Sequence, residues 1–126
     1  GAYTTAISAW MEMIRQNKPL RIDGDGEQTR DFVHVDDIVS ANILAMHNDD
    51  MNDDYYNVGY GKDYSLNYIK NFIDANILAR WDHAPPRKGD ARNTLADISS
   101  LVNCGWNPTI NLDDGLIRCF SKFFMT

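Results

Sequence analysis

Apolar residues at Ile7, Trp10, Met11 and Ile14 recur at helical spacing, which predicts an amphipathic helix over residues 4–16. Asn17-Lys18-Pro19 stops it. Leu20 to Ile22 reads as a short strand, and Asp23 to Gln28, with two glycines, as a turn. Asp31 to Val35 ("DFVHV") alternates apolar and polar positions and reads as a second strand. Within that pattern His34 is a packed core or edge residue. Asp36 and Asp37 follow where a helix caps and begins, because carboxylates there accept from free N–H groups and favour the positive end of the helix dipole. Val39, Ile43 and Met46 supply that helix with a stripe expected to be buried.

The pattern continues through an acidic loop at residues 48–54 ("NDDMNDD") into a strand at Tyr55 to Val58 that ends at Gly59. Ser65 caps a helix whose inward positions are Leu66, Ile69 and Ile73. Ile77 to Trp81 reads as a strand, and "APPRKGD" as a loop. Asp97 or Ser99 starts a short helix that ends near Cys104-Gly105. Asn111 starts the last helix, with Asp113 and Asp114 in its first turn and Leu112, Leu116, Phe120 and Phe123 facing inward. The fold class is α/β, a small mixed α+β lobe in which short strands alternate with helices. No strand is long and continuously apolar, which argues against a large buried parallel sheet. Such a lobe packs on something else, and the final "FFMT" adds apolar surface for a partner.

Composition narrows this picture. The chain has 126 residues, one ordinary domain, and 44% of them are apolar, enough for a modest core. Eighteen acidic residues against twelve basic ones leave a net charge of −6. An acidic chain with no Lys/Arg cluster is a poor binder of nucleic-acid backbone or anionic membrane, although a few placed arginines can still grip one small anion. Cys104 and Cys119 are the only cysteines, and they read as buried reduced thiols. No apolar run approaches the roughly 18 residues of a membrane span. No basic-then-apolar leader pattern precedes the first helix, so a cytoplasmic location is expected. The first residue is Gly1. Methionine removal, processing, a tag scar and excision from a longer protein all account for it.

Candidate chemistry lies at Arg30, at Asn57 in "YNVG", and in "PRKGDAR", Pro86 to Arg92. A guanidinium donates two parallel hydrogen bonds and so fits a phosphate. Arginines converging from separate loops make a diphosphate clamp, whereas any one alone reads as a surface partner of a nearby carboxylate. No G-x-G-x-x-G loop is present to cradle a dinucleotide, and no tyrosine has a lysine four residues later. The histidines and cysteines have no metal-ligand spacing. Asp36 and Asp37 could act as catalytic carboxylates, but capping accounts for them better. The tyrosines at 55, 56, 60, 64 and 68 read as core and rim.

The stretch "GDGEQTRDFVHVDDIVSANILAM" resembles the substrate lobe of extended short-chain dehydrogenases/reductases, the family of NAD-dependent nucleotide-sugar epimerases, dehydratases and decarboxylases. "YYNVGYGKDYSLNYI" and "PPRKGDARNTLADISSLVNCGWNPTINLDDGL" extend the likeness over nearly the whole chain, and it is closest to the UDP-sugar 4-epimerases. The resemblance implies that Arg30 and Arg87 contact the diphosphate of a UDP-hexose or UDP-N-acetylhexosamine. It implies that Asp90 contacts the ribose and that Asn57 lies near the nucleotide. Leu20 to Ile22 would line the base, Ala2 and Tyr3 would lie near sugar and base, and Arg92 would join the phosphate cluster. In that family an N-terminal Rossmann domain holds NAD and the catalytic Ser/Thr and Tyr-x-x-x-Lys. None of that is in these residues, so residues 1–126 correspond to the substrate-binding part, expected to be inactive alone. The expected partners are the nucleotide-diphosphate sugar and the Rossmann domain or subunit, with a homodimer as a further expectation. A non-catalytic nucleotide-sugar-binding module and an association module are the alternatives.

Overall fold

The computed structural model describes residues 2–3, 6–48, 51 and 56–125. Helix α1, Ala6–Arg15, buries Ile7 and Trp10. It ends where Asn17 adopts φ 55°, a left-handed residue that closes the last turn ahead of Pro19. Strand β1, Leu20–Asp23, turns Leu20 and Ile22 into the core. The glycine turn follows, with Gly24 at φ 79° and Gly26 at φ 78°. Strand β2, Thr29–Asp31, then leads towards helix α2, Val35–His47.

Strand β3, Asp63–Ser65, pairs antiparallel with β2, Arg30 lying opposite Tyr64. Ser65 caps helix α3, Leu66–Asn76, by accepting from the Tyr68 N–H, and Leu66, Ile69 and Ile73 are buried as expected. Strand β4, Trp81–Ala84, pairs parallel with β1 in the register Leu20 to Trp81. Helix α4 spans Ser99–Asn103, and Gly105 at φ 94° closes it. Asn111 caps helix α5, Leu112–Phe120, by accepting from the Asp114 N–H, and a 3-10 turn at Ser121–Phe123 ends the chain's regular structure.

The larger core joins α1, β1, α3 and α5 through Ile7, Leu20, Ile22, Ile69, Leu116 and Phe120. A smaller one sets Ala41 of α2 against Leu101 and Trp106. Gly115 permits the close approach of Tyr3, since a Cβ there would stand 1.9 Å from the phenol oxygen.

Several expectations are corrected. The "DFVHV" strand ends at Asp31, where its partner β3 ends at Asp63. Phe32 and His34 still alternate inward, but no ladder continues to hold them. His34 is the N-cap of α2, its Nδ1 accepting from the Asp36 N–H at 3.0 Å. Asp37 is no cap. It is buried, and its carboxylate accepts from the Thr109 N–H and hydroxyl and from the Ile110 N–H at 3.0–3.1 Å. The expected apolar stripe of α2 faces outward: Val39, Ile43 and Met46 are 48%, 52% and 78% exposed. The buried positions of that helix are Asp37 and Ala41, because Asp37 rotates the helix towards the 109–110 segment.

Residues 56–58 form no strand, and Tyr55 and most of the acidic loop lie outside the described residues. The strand expected at Ile77–Trp81 begins at Trp81 instead. Ile77 remains tied to α3, its N–H donating to the Ile73 carbonyl. The terminal Phe123 and Phe124 pack half-buried on the main core, leaving Met125 exposed.

Candidate functional site

Because β1 and β4 are parallel neighbours, the chain leaves both at the same end of the sheet. The glycine turn after β1 and the loop after β4 therefore emerge side by side. Between them lies a cleft of about 210 Å³ lined by Asp23, Asp25, Gln28, Arg87, Asp90 and Arg92, among others. Gly24 takes the left-handed φ of 79° that favours glycine, with Pro86 packed beside it. Gln28 is buried, and its Nε2 donates to the Asp23 carbonyl at 2.7 Å, closing the turn from inside.

Arg30 approaches from β2. Its Nη1 donates to the Thr29 carbonyl at 2.6 Å and to the Arg92 carbonyl at 3.3 Å, and its Nη2 lies 2.9 Å from Asp90 Oδ1. The 92–96 loop is in turn stitched to β2. The Thr29 N–H donates to the Arg92 carbonyl, and the Thr94 N–H to the Thr29 carbonyl. Asp31 accepts from the N–H groups of Tyr60 (2.7 Å), Gly61 (2.9 Å) and Ala96 (3.3 Å). Arg92 grips Asp25 with two parallel bonds of 2.9 and 3.1 Å, which hold the Asp25 carboxyl below the usual carboxylate range and raise the arginine in return. Arg87 is exposed on the cleft's lining, without an ion-pair partner among the described residues.

Two guanidinium groups, Arg87 and Arg92, thus border one cleft in a chain of net charge −6, and Arg30 contacts two of its lining residues, Asp90 and Arg92, from β2. Arg92 is engaged by Asp25 and Arg30 by Asp90. An entering phosphate would take over N–H donors that carboxylates now hold, exchanging one charge-assisted pair for another. Among the described residues no group of three or more His, Cys, Asp or Glu side chains could hold a metal ion.

Of the residues singled out in the sequence, Arg87, Asp90 and Arg92 line this cleft, and Arg30 stands behind them, bonded to Asp90 and to the Arg92 carbonyl. Tyr3, Leu20 and Ile22 turn into the core instead, with Tyr3 edge-on to His34. Asn57 is exposed and does not line the cleft. Asp25, Gln28 and Asp31 are contributors that pattern reading passed over. The signal for the first two is their place inside the glycine turn, where polar side chains have backbone groups to satisfy.

A dinucleotide does not fit this turn. A pyrophosphate cradle needs a glycine turn that opens a helix, so that the helix N-terminus faces the phosphates. Here the turn opens strand β2, and Gly26 is small to admit Asn67, whose Oδ1 lies 2.2 Å from where a Cβ would be.

Residues 1–59 match the family model described as "NAD dependent epimerase/dehydratase family". The chain is 34% identical over 114 residues to a putative UDP-glucose 4-epimerase of Methanocaldococcus jannaschii, covering 89% of this chain and 36% of that protein. The fold is similar to that of a UDP-glucuronic acid 4-epimerase from Bacillus cereus, solved with UDP-glucuronic acid and NAD. That likeness has a TM-score of 0.80 and 27% identity, over 94% of this chain and 39% of the other. It is also similar to a UDP-glucose 4-epimerase from Thermotoga maritima solved with UDP-glucose, at TM-score 0.76 and 31% identity, over 94% of this chain and 40% of the other. The chain therefore spans less than half the length of these relatives.

Proposed function

We propose that this chain, which is related to the NAD-dependent epimerase/dehydratase family, is the nucleotide-sugar-binding lobe of a UDP-sugar epimerase. The observation that carries the reading is the cleft lined by Arg87, Asp90 and Arg92 from the loop after β4, with Arg30 of β2 bonded to Asp90 and to the Arg92 carbonyl. Arginine forks suit a diphosphate, and a carboxylate that a phosphate displaces from its arginine is free to accept from a ribose hydroxyl. The relatives' own ligands, UDP-glucuronic acid and UDP-glucose, favour a uridine diphosphate. In the whole enzyme, binding energy from this remote nucleotide would orient the reacting sugar carbon.

Hydride transfer belongs to NAD held by another part of the protein. The outward stripe of Val39, Ile43 and Met46 suits the face that such a domain covers. The chain alone is then inactive, and NAD-dependent turnover by the pure chain would contradict this.

Calorimetric titration with UDP tests the binding. Saturable binding is expected, weakened in Arg30→Ala by about 1.5–3 kcal/mol, the scale of a hydrogen bond to a charged group, or roughly 10- to 150-fold. Undiminished affinity in a folded Arg30→Ala variant removes Arg30 from the site.

A further inference from the structure

Asp31 stands next to Arg30 in β2 but faces away from the cleft's anion donors, and the proposed chemistry has no use for it. Its carboxylate nevertheless collects three backbone N–H groups from two loops: Tyr60 and Gly61 before β3, and Ala96 beyond Arg92. The site is built for this contact. A Cβ at Gly59 would lie 2.4 Å from the Ala96 side chain and 3.0 Å from Asp31 Oδ2, so Gly59 keeps the space that lets the 96 backbone reach the carboxylate.

The 92–96 segment matters because it braces Arg30. The Arg92 carbonyl accepts from Arg30 Nη1, and Asp90 two residues earlier pairs with Nη2. Thr29 fixes the near end of that segment through its main chain, while its hydroxyl donates to Asp63 Oδ2 at 2.6 Å. Asp31 fixes the far end. Without it the segment is held to β2 only through Thr29, and the brace on Arg30 loses its second anchor.

We propose that Asp31 is a positioning residue of the anion clamp: by binding the Tyr60, Gly61 and Ala96 N–H groups it locks the 92–96 segment onto β2 and thereby orients the Arg30 guanidinium. The binding half of this inference rests on the nucleotide reading above. The orientation half does not, because it is a property of the free chain.

The test is Asp31→Asn in the full chain, read three ways. The first reading is the Arg30 Nε–H resonance of the ligand-free protein, assigned by its loss in Arg30→Lys. In the unsubstituted chain it reports an ordered side chain. In Asp31→Asn, whose carboxamide turns an NH2 towards one set of N–H donors, it becomes mobile while that of exposed Arg15 is unchanged. The second is UDP affinity, expected to fall roughly tenfold, the loss of one well-aimed charge-assisted bond. The third is the same substitution in an Arg30→Ala background, where no further loss of affinity is expected, because Asp31 acts through Arg30. Should Asp31→Asn fail to melt cooperatively, Gly59→Ala is read instead, since it displaces Ala96 from the other side and leaves the carboxylate intact.

An ordered Arg30 in the folded variant overturns the proposal, as does an affinity loss that adds fully to that of Arg30→Ala. If the unsubstituted chain binds no UDP, the nucleotide reading fails, and the Arg30 resonance alone still decides the positioning role.

Discussion

Asp36 and Asp37 are adjacent, identical in type and alike in the sequence, yet their removal should differ several-fold in effect. Asp37 is 2% exposed and satisfies two backbone N–H groups and a hydroxyl across α2 and the 109–110 segment. Asp37→Ala strands the Ile110 N–H in a fully buried contact and leaves Thr109 with two unmatched donors. Breaking a buried charge-assisted set by deleting one partner costs about 3–5 kcal/mol. That is a large part of the about 5–15 kcal/mol that holds a domain together. At this size it corresponds to a fall in melting temperature of roughly 10–25 °C. The Asp36 side chain is 67% exposed and contributes through the helix dipole, about 0.3–1 kcal/mol, or a few degrees. Thermal melts of both variants, followed by circular dichroism, check the pair. A loss below about 1 kcal/mol in Asp37→Ala, or equal losses in both, would refute the assignment of Asp37 as the link between α2 and the 109–110 segment.

Tyr68 donates to Asp113 at 2.6 Å, which pushes its ionisation up to about 12. The fold thus favours the neutral phenol, so its contribution is complete below about pH 10, the unfolded value, and is lost as pH rises towards 12. Alkaline unfolding should be shallower in Tyr68→Phe, and an identical alkaline limb would contradict this. Asp25→Asn removes a fully exposed pair with Arg92, so the melting temperature should hardly move, while the freed Arg92 should raise UDP affinity roughly two- to fivefold. Isothermal calorimetry reads that gain, and weaker binding would show that Asp25 supports the site rather than competes for it. Ile43→Glu with Met46→Glu should alter the stability of this chain by no more than about 0.5 kcal/mol, because both side chains already face water. A clear drop in the denaturant midpoint would mean that the α2 stripe is covered within the chain itself.

Local rules read α1, the glycine turn, and the caps at Ser65 and Asn111 correctly because each is satisfied within a few residues. Asn17 ends α1 by its own backbone, and Ser65 reaches only to the Tyr68 N–H. The failures came where distant segments decide. "DFVHV" has strand periodicity, but its ladder stops where β3 runs out at Asp63, 32 residues after Asp31 and set by another turn. The Val39, Ile43 and Met46 stripe is a sound amphipathic signal, and Asp37's partners 72 and 73 residues away turn it outward. At the cleft, arginine chemistry and loop position made Arg30, Arg87 and Arg92 legible. Asp25 was not, since a polar residue between two glycines looks like ordinary turn composition until Arg92 closes on it. Leu20 and Ile22 were placed beside the ligand by resemblance, while their alternation in β1 already marked the side chains as core.

The central claim, that the cleft between the glycine turn and the loop after β4 holds a nucleotide diphosphate, is tested most directly by residue-resolved amide NMR of the chain during titration with UDP. The account predicts saturable shifts concentrated in residues 24–31 and 86–96, with the Arg30, Arg87 and Arg92 side-chain resonances moving at the same midpoint. Saturable shifts centred elsewhere, or a folded chain whose cleft resonances stay fixed at millimolar UDP, would contradict it.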